Sequence, residues 1–406
     1  MPIRPHQIAG KNAGKTKAHN RRVLLGHLQA REAGRAEIAK ASGLSTQTVS
    51  NLMAELEAEG LVQQTGRRAA ARGQPPVVYA FNPSGAVALG FEVRPDMLTM
   101  VLANIGGTAL MTRHTRLDRT DPAHVLALMA QLAQAALAAH PTPRILGAGL
   151  VIPGPFGVAG LSAAGATTLP GWDPLMIPAM TETALALPVH LDKDATAAAL
   201  GEGMGGAAQG LSSYAFLYFG SGLGLGIVTQ GQPLRGAFGN AGEVGHVIIH
   251  PCGLPCDCGN HGCLEQYVSR FSVQRHLVKY GLLPADTHGT DATIVRLLAA
   301  NDPTLTAWIT SAAEALSRAI GMLENLFDPQ STILGGALPD ALLDALIARL
   351  SLPAGSVSRR ADRSSPRVAR GTSGRLSAAM GAAALVIHDT VTPRLDAHRM
   401  EPNQCP

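Results

Sequence analysis

Residues 242–265 concentrate the side chains that are best able to bind a metal ion. This stretch holds four of the chain's five cysteines, three histidines and two glutamates. Thiolates are soft donors that suit zinc, and Cys256, Cys258 and Cys263 lie on a tight, glycine-rich loop where one further donor would complete a tetrahedral site. Cysteines so few and so crowded do not form the disulfide framework of a small secreted domain. The cluster therefore favours metal ligation over reduced buried thiols or a redox pair, with Cys252 competing as a ligand on spacing alone.

The first eighty residues have the pattern of a DNA-binding module. Apolar residues recur at helical spacing in three short segments, and the turn ASGLS separates the second segment from the third. Ser45 is a good N-cap for the third helix, on which Val49, Leu52, Met53 and Leu56 face inward. The predicted DNA contacts of this recognition helix lie near its exposed N-terminal end and are Ser45, Thr46, Gln47, Thr48, Ser50 and Asn51.

The segment after Gly60 predicts two short strands around a basic loop, which is the wing of a winged helix-turn-helix. Arg67, Arg68 and Arg72 are its candidate contacts to the groove or the backbone of DNA. The distribution of charge also supports DNA binding by this part of the chain. Through Ala80 there are 12 Lys and Arg against 5 Asp and Glu, whereas the remainder has 21 against 24. A three-helix protein-interaction module is the alternative, but the turn, capped helix, polar surface and Arg-rich wing in this order favour DNA.

Beyond a hinge at residues 82–85, the chain predicts an α/β protein. Apolar strands alternate there with Ala- and Leu-rich helical stretches such as 122–139 and 310–325. Gly-rich turns follow two of the strands, at 220–226 and 335–336, and their backbone N–H groups could cradle an anion or a ribose. Each turn alone is weak evidence, because such turns more often only reverse the chain.

Length and composition indicate a globular protein of two or three domains. The chain has 406 residues and a mass of 42.0 kDa, with ample apolar content for more than one core. No basic, apolar and small-residue leader opens the sequence, and its Ala-rich stretches are interrupted by Gln and His. We therefore expect a cytoplasmic protein with no membrane partner.

Five motifs together resemble the ROK family of sugar kinases and sugar-responsive repressors. They are LPGW at 169–172, DATAAALGE at 194–202, GSGLGLG at 220–226, GAFGNAGEVGH at 236–246 and the cysteine-glycine motif at 256–265. With the winged helix-turn-helix in front, the chain is similar to the repressor branch from about His19 to about Ala384. The resemblance implies an N-terminal winged helix-turn-helix followed by a two-lobed, actin-like ATPase (ribonuclease H-like) domain. The expected boundaries are 1–82, 83–200, 201–390 and a flexible tail at 391–406.

The resemblance also assigns roles to individual residues. It implies one structural zinc ion per chain, held by His246, Cys256, Cys258 and Cys263, and a sugar bound between the lobes. Four protein donors close the coordination sphere, so the ion would leave no position for an activated water. Its expected role is to hold Glu243 and Glu265 where carboxylates can accept hydrogen bonds from sugar hydroxyls. The implied sugar-binding residues are Lys193, Asp194, Glu243, His246 and Glu265.

Two departures from the family pattern concern the identity of the sugar. Lys193 replaces the usual Asn before Asp194, and Thr168 replaces the Asn expected before LPGW. Lys193 would either face the carboxylate or phosphate of an acidic or phosphorylated sugar, or neutralise Asp194 in the empty cleft. Both interpretations remain open at this point.

A third departure concerns catalysis. Asp194 matches the base of the family's kinases, but Glu92-Val93-Arg94-Pro95-Asp96 replaces their Asp-x-Gly-Gly-Thr phosphate loop. Pro95 has no N–H to donate, and Arg94 has a side chain where close approach is needed. We therefore expect no enzymatic activity, with Asp194 only a vestige of the base. The expected protein is a repressor that binds operator DNA as a homodimer or homotetramer and senses a sugar or sugar phosphate; an active sugar kinase with a DNA-binding head and a protein scaffold are the alternatives.

Overall fold

The computed structural model describes residues 16–67, 76–141, 144–157, 169–220, 222–284, 290–355, 357 and 360–392. Arg68, Arg72 and Thr168 lie outside these residues. The chain forms two compact units, of which the first is Met1–Ala86 with Ile387–Pro406 and the second is Val87–Val386. The boundaries drawn from the sequence inside the second unit remain predictions.

The first unit is a helix-turn-helix with a three-stranded sheet. Its elements in chain order are α1 (Thr16–Ala30), β1 (Ala33–Gly34), α2 (Arg35–Ser42), α3 (Thr46–Ala58), β2 (Val62–Arg67) and β3 (Val77–Phe81). Gly43 ends α2 with a φ of 69°, a left-handed conformation that glycine adopts without steric cost. The strands pair antiparallel in the order β1-β3-β2. The predicted winged helix-turn-helix is confirmed over the described residues.

Apolar residues at helical spacing hold these three helices together. The four residues predicted to face inward from α3, Val49, Leu52, Met53 and Leu56, are all buried. Polar contacts add to the core, since Arg21 of α1 forms ion pairs with Glu55 and Glu59 at the far end of α3. The N-terminal end of α3 is thereby left exposed.

The second unit contains two five-stranded sheets with the same strand order. The first sheet is built from β4 (Val87–Arg94), β5 (Met97–Asn104), β6 (Ala109–Arg116), β7 (Ile145–Ile152) and β8 (Val189–Lys193), in the order β6-β5-β4-β7-β8. Helices α4 (Pro122–Ala139) and α5 (Ile177–Leu185) accompany it. The first three strands are antiparallel, and β7 and β8 extend the sheet in parallel. We call this half of the unit the first lobe.

The second sheet repeats this topology. After α6 (Asp194–Gly205), it is built from β9 (Tyr214–Phe219), β10 (Leu223–Thr229), β11 (Gln232–Pro233), β12 (Thr332–Gly336) and β13 (Val368–Arg370), in the order β11-β10-β9-β12-β13. The accompanying helices are α7 (Glu265–Val268), α8 (Arg270–Lys279), α9 (Thr290–Ala299), α10 (Pro303–Phe327) and α11 (Asp340–Ala348), and the last helix is α12 (Ser377–Val391). We call residues 206–370 the second lobe. The repeated order agrees with the expected two-lobed fold.

Among the described helices, α4 alone is long and apolar enough to span a membrane by length and composition. This is weak evidence for a membrane segment, because a core helix passes the same test. Val125, Leu126, Met129, Ala133 and Ala136 of α4 are buried and belong to the hydrophobic core of the first lobe.

Small residues let α12 approach the first sheet at backbone distance. A Cβ at Gly90 of β4 would collide with the backbone oxygen of Ala379, and one at Gly149 of β7 would collide with that of Ala382. Neither glycine has an unusual φ, so the close approach itself excludes a side chain there. The last residues of α12 belong to the first unit, where Arg22 Nε donates to the carbonyl oxygen of Asp389 at 2.5 Å. Helix α12 therefore contributes to both units.

We expect Gly149→Ala to lower the free energy of unfolding of the second unit by about 1–3 kcal/mol, because two backbones must separate to admit one methyl group. Urea denaturation followed by circular dichroism measures the change. Gly355→Ala is the matched control, since no atom lies within 4 Å of a Cβ at that position. Equal stability of the two variants would contradict the close packing of α12.

Candidate metal centre and binding cleft

The four predicted metal ligands meet in one cluster. The ligand atoms of His246, Cys256, Cys258 and Cys263 all lie within 4.8 Å of one another. The sulfurs of Cys258 and Cys263 are 3.6 Å apart, and Cys256 Sγ is 3.6 Å from His246 Nδ1. Donors held about 2.3 Å from a common ion at tetrahedral angles would be separated by similar distances. The cluster therefore fits a metal ion.

The local chain conformation creates this cluster. His246 ends a short 3-10 helix, and bridges between Ile248 and Cys263 and between Pro255 and His261 fold the following loop back on itself. Gly262, at a φ of 79°, lies so close to the carbonyl of His250 that no side chain would fit. The glycine spacing of the motif is thus a packing requirement.

The other candidate donors of the motif lie outside the cluster. Cys252 is exposed, and the structure does not group it with the four ligands. His250 stacks on Tyr267 with ring centroids 4.6 Å apart. Burial raises the pKa of the Cys263 thiol to about 11 and also raises the pKa of Cys256, so a bound cation must displace protons from these sulfurs.

A cavity of about 380 Å³ lies between the two lobes of the second unit, next to this cluster. All five residues that were predicted to bind sugar line it, namely Lys193, Asp194, Glu243, His246 and Glu265. The Oε1 atom of Glu265 accepts a hydrogen bond from Cys256 Sγ at 3.1 Å and lies 3.7 Å from His246 Nδ1. The metal cluster and the cavity therefore share a wall, although sugar binding by these residues remains a prediction.

Lys193 has a partner that the sequence did not suggest, and the two interpretations made from the sequence remain predictions. Its Nζ donates to Glu243 Oε1 at 2.6 Å and to the carbonyl oxygen of Ala241 at 2.9 Å. The lysine side chain is 4% exposed and that of Glu243 is 32% exposed. Lys193 thus pairs with Glu243, a partner that no local sequence pattern could have indicated, since the two residues are 50 positions apart.

Asp194 begins α6 and faces the same cavity. Its Oδ1 accepts a hydrogen bond from the backbone N–H of Ala195 at 2.7 Å. Burial raises the pKa of this carboxyl to about 7, and the nearby charges of Glu92 and Glu243 act in the same direction, against Lys193. Near neutral pH the group is therefore present in both protonation states.

The residues at the position of the expected phosphate loop occupy the end of β4 and the turn to β5. Glu92 is buried, and its Oε1 accepts a hydrogen bond from the Tyr218 hydroxyl at 3.1 Å. Arg94 Nε lies 3.8 Å from the same oxygen, and both Arg94 and Pro95 line the cavity. Burial raises the pKa of Glu92, which Arg94 and the tyrosine oppose. The charged side chains of Glu92 and Arg94 thus lie side by side at the end of β4.

The Gly-rich turn at 220–226 serves mainly to pack β10 against α6. A Cβ at Gly224 or Gly226 of β10 would overlap Ala195 of α6, so these glycines admit the helix. Among the described residues of the turn, Gly220, Gly222, Leu223 and Gly224 line the cavity. The glycines at 335–336 likewise lie against the rings of Phe216 and Tyr218.

The sequence did not indicate the cavity residues Gln266, Phe271 and Arg275, nor Asn240, which lies outside the cavity lining. Arg275 of α8 donates to the Oε1 and backbone oxygens of Gln266, at 2.8 and 2.5 Å, and stacks on Phe271. Asn240 exchanges two hydrogen bonds of 2.8 Å with the backbone of Phe156, which joins the loop after β7 to the loop before Glu243. The helical spacing of Phe271 and Arg275 was a usable signal, whereas the partner of Asn240 is 84 residues away.

The candidate nucleic-acid interface is the N-terminal half of α3. Thr46, Gln47 and Asn51 are exposed, whereas Thr48 and Ser50 are partly buried. Gln47 Nε2 donates to Asn51 Oδ1 at 2.9 Å. Ser45 caps the helix, since its Oγ accepts from the Thr48 N–H at 3.1 Å. Arg67 is exposed at the end of β2, and the candidates Arg68 and Arg72 fall outside the described residues.

Comparisons with known proteins agree with both units. The sequence profile described as the ROK family matches residues 88–389, and that of the IclR helix-turn-helix domain matches residues 24–66. The xylose repressor of Caldicellulosiruptor bescii is 31% identical over 313 residues, which cover 74% of this chain and 78% of the relative. A crystal structure of a ROK family transcriptional regulator, homologous to the E. coli MLC protein, covers 92% of this chain and 97% of its own at 22% identity and a TM-score of 0.72. A ROK hexokinase from Thermus thermophilus covers 73% of this chain and 97% of its own at 28% identity and a TM-score of 0.58.

We expect Cys258→Ser to lose most of the bound divalent metal, because it removes one of the four clustered donors. Elemental analysis of purified protein measures the metal content per chain. Cys252→Ser is the matched control and should retain the metal of the unaltered protein, since Cys252 lies outside the cluster. Full metal content in Cys258→Ser, or equal loss in both variants, would contradict the assignment.

We expect Asp194→Asn to stabilise the protein at pH 8 but not at pH 4. The folded-state pKa of about 7 exceeds the ordinary aspartate pKa of 3.8, so the folded protein binds the proton more tightly and ionisation costs stability as the pH rises through this window. Urea denaturation at both pH values measures the difference, with the exposed Asp118→Asn as control. The same difference between Asp194→Asn and the unaltered protein at both pH values would contradict a raised pKa.

Proposed function

The chain belongs to the ROK family, and on that premise we propose that it is a sugar-responsive transcriptional repressor. The observation that carries this proposal is the presence, on one chain, of a winged helix-turn-helix and a ROK domain whose cavity is lined in part by carboxyl groups. The name of the similar C. bescii protein, a xylose repressor, supports the same function and suggests genes of carbohydrate uptake or catabolism as targets. Because operator DNA lies in the bacterial cytoplasm, we also propose a cytoplasmic location.

The proposed DNA contacts follow from exposure and side-chain chemistry. Gln47 and Asn51 are exposed on α3, and amides can pair with the major-groove edge of adenine. Arg67 at the wing would contact the groove or the phosphates, which sets affinity more than sequence preference. We propose that the chain acts as a homodimer, or a homotetramer, on a two-fold operator, because paired recognition helices need paired half-sites.

We propose that the metal cluster holds one structural zinc ion per chain. Three thiolates and an imidazole form a donor set that suits zinc and leaves no open coordination position. The ion would supply structure rather than chemistry, by fixing His246 and Cys256, both of which lie close to Glu265 Oε1. Glu243 and Glu265 would then be held where they can accept hydrogen bonds from a sugar.

We propose that the protein has lost phosphoryl transfer, which depends on precise positioning of the nucleotide phosphates. Pro95 offers no N–H to a phosphate. The Arg94 guanidinium lies beside the carboxyl group of Glu92, 3.8 Å from its Oε1 atom. The alternative, a sugar kinase with a DNA-binding head, draws support from Asp194, a cavity carboxyl with a pKa of about 7 that suits a general base. ATP consumption with a panel of sugars separates the two functions.

Ligand control of DNA binding requires a difference in affinity between two states of the protein. A sugar in the cavity can change operator binding only if it favours one arrangement of the lobes over the other. Gel shifts on the DNA upstream of the protein's own gene, with and without a sugar panel, test the proposed function. Absence of salt-dependent DNA binding would contradict it and favour the protein scaffold.

We expect Gln47→Ala to weaken operator binding about 5- to 100-fold, which is the usual range for losing one good base contact. Gln131→Ala, the same change at an exposed position of α4, should leave the affinity unaltered. Fluorescence anisotropy with labelled operator measures both affinities. Equal affinities of the two variants would remove Gln47 from the interface.

A further inference from the structure

We propose that the Lys193–Glu243 ion pair makes the cleft selective for an uncharged sugar, so that sugar phosphates and uronates are excluded. This inference deepens the proposed function and rests on it. It assigns Lys193 as a residue that determines specificity through Glu243. The evidence lies in the contacts of the pair, in the space it occupies and in the charges around the cavity.

The ammonium group of Lys193 already donates hydrogen bonds to other groups of the protein. Two of its three protons are accounted for by Glu243 Oε1 and by the carbonyl of Ala241. Because the lysine side chain is almost fully buried, moving the ammonium to an incoming anion would leave Glu243 unpaired. An anionic ligand would therefore have to compete with a short internal ion pair.

The surrounding backbone is shaped to hold this pair. A Cβ at Gly154, in the loop after β7, would lie 2.6 Å from Lys193 Cδ and 3.3 Å from Glu243 Oε1. Glycine at this place leaves room for the lysine stem without displacing either side chain. Ala241, which receives the second hydrogen bond, follows Asn240, whose side chain is itself fixed to the backbone of Phe156. The position of the ammonium is thus set from both lobes.

The other charged groups of the cavity include more carboxyl groups than cations. Four carboxyl groups line it, those of Asp194, Glu243, Asp257 and Glu265, against the three cations Arg94, Lys193 and Arg275. Arg275 donates to Gln266, whereas Arg94 Nε lies 3.8 Å from Glu92 Oε1 and makes no hydrogen bond within the described part of the chain. A zinc ion bound by three thiolates would add no positive charge, because the thiolates outnumber its two charges. The balance of charge therefore disfavours a phosphate or carboxylate.

The same arrangement suits a neutral polyol. The ammonium retains capacity to donate one more hydrogen bond, and Glu243 retains its second oxygen as an acceptor. A sugar hydroxyl both donates and accepts, so neighbouring hydroxyls can use both groups without separating the pair. Asp194, with access to both protonation states, can serve as donor or acceptor to a further hydroxyl.

Glu243→Gln tests the inference, because the amide oxygen can still accept from Lys193 while the negative charge is lost. Isothermal titration calorimetry would compare glucose and N-acetylglucosamine with their 6-phosphates, together with xylose and glucuronate. In the unaltered protein we expect a neutral sugar to bind at least about tenfold more tightly than its phosphate. In Glu243→Gln this preference should fall about tenfold, since the cleft gains one net positive charge.

Two further variants complete the design. Lys193→Met should increase the preference for the neutral sugar, because it removes a positive charge and leaves Glu243 ionised. Glu314→Gln, an exposed change on α10, is the matched control and should leave the preference unchanged. Circular dichroism of each variant checks that the fold is retained.

The outcomes separate this inference from the proposed function. Tighter binding of a phosphate or uronate by the unaltered protein, or an unchanged preference in Glu243→Gln, would overturn the role of the ion pair alone. Neutral sugar binding with the expected preference but without any effect on operator binding would overturn the regulatory function and leave the selectivity intact. Failure of every sugar to bind would overturn both.

Discussion

The folded loop of residues 246–263 is the constraint on which the binding cleft depends. It brings one imidazole and three sulfurs within 4.8 Å of one another, an arrangement that a metal ion would stabilise by neutralising thiolates that burial disfavours. Glycine at 262 permits the reversal of the chain. Cys256 and His246 both lie close to Glu265, which lines the cavity. The positions of these two cluster residues therefore affect the position of the Glu265 carboxylate.

The cleft itself is organised by charges that are neutralised within the protein. Lys193 is paired with Glu243, and Arg94 lies beside Glu92. A buried charge is tolerated when it is paired and hydrogen-bonded, and the Lys193 ammonium meets both conditions. The end of β4 and the following turn, where the family resemblance implies a phosphate loop, hold Arg94 and Pro95, and this replacement is the basis of the proposed loss of phosphoryl transfer.

Local sequence patterns predicted the helix-turn-helix correctly, because turns, helix caps and apolar spacing depend on interactions between residues that are close in sequence. The turn at Gly43, the cap at Ser45 and the apolar spacing of α3 each act over a few residues, so the helix-turn-helix could be predicted from them. The metal ligands could be named because three of them are neighbours in the motif and the family resemblance supplied His246. Contacts between residues far apart in sequence could not be predicted from local pattern, because the partners of Lys193 and Asn240 lie 50 and 84 residues away.

The glycines illustrate the same division. Their number and placement in GSGLGLG suggested an anion cradle, yet Gly224 and Gly226 serve the approach of α6 to β10. By itself the sequence determined the helix-turn-helix, the alternating strands and helices and the three clustered thiols of the candidate metal site, because periodicity, capping and ligand chemistry act along the chain. Only the tertiary structure decided which charges meet in the cleft, because a buried ammonium takes the carboxylate that folding brings to it, whatever the distance between them in sequence.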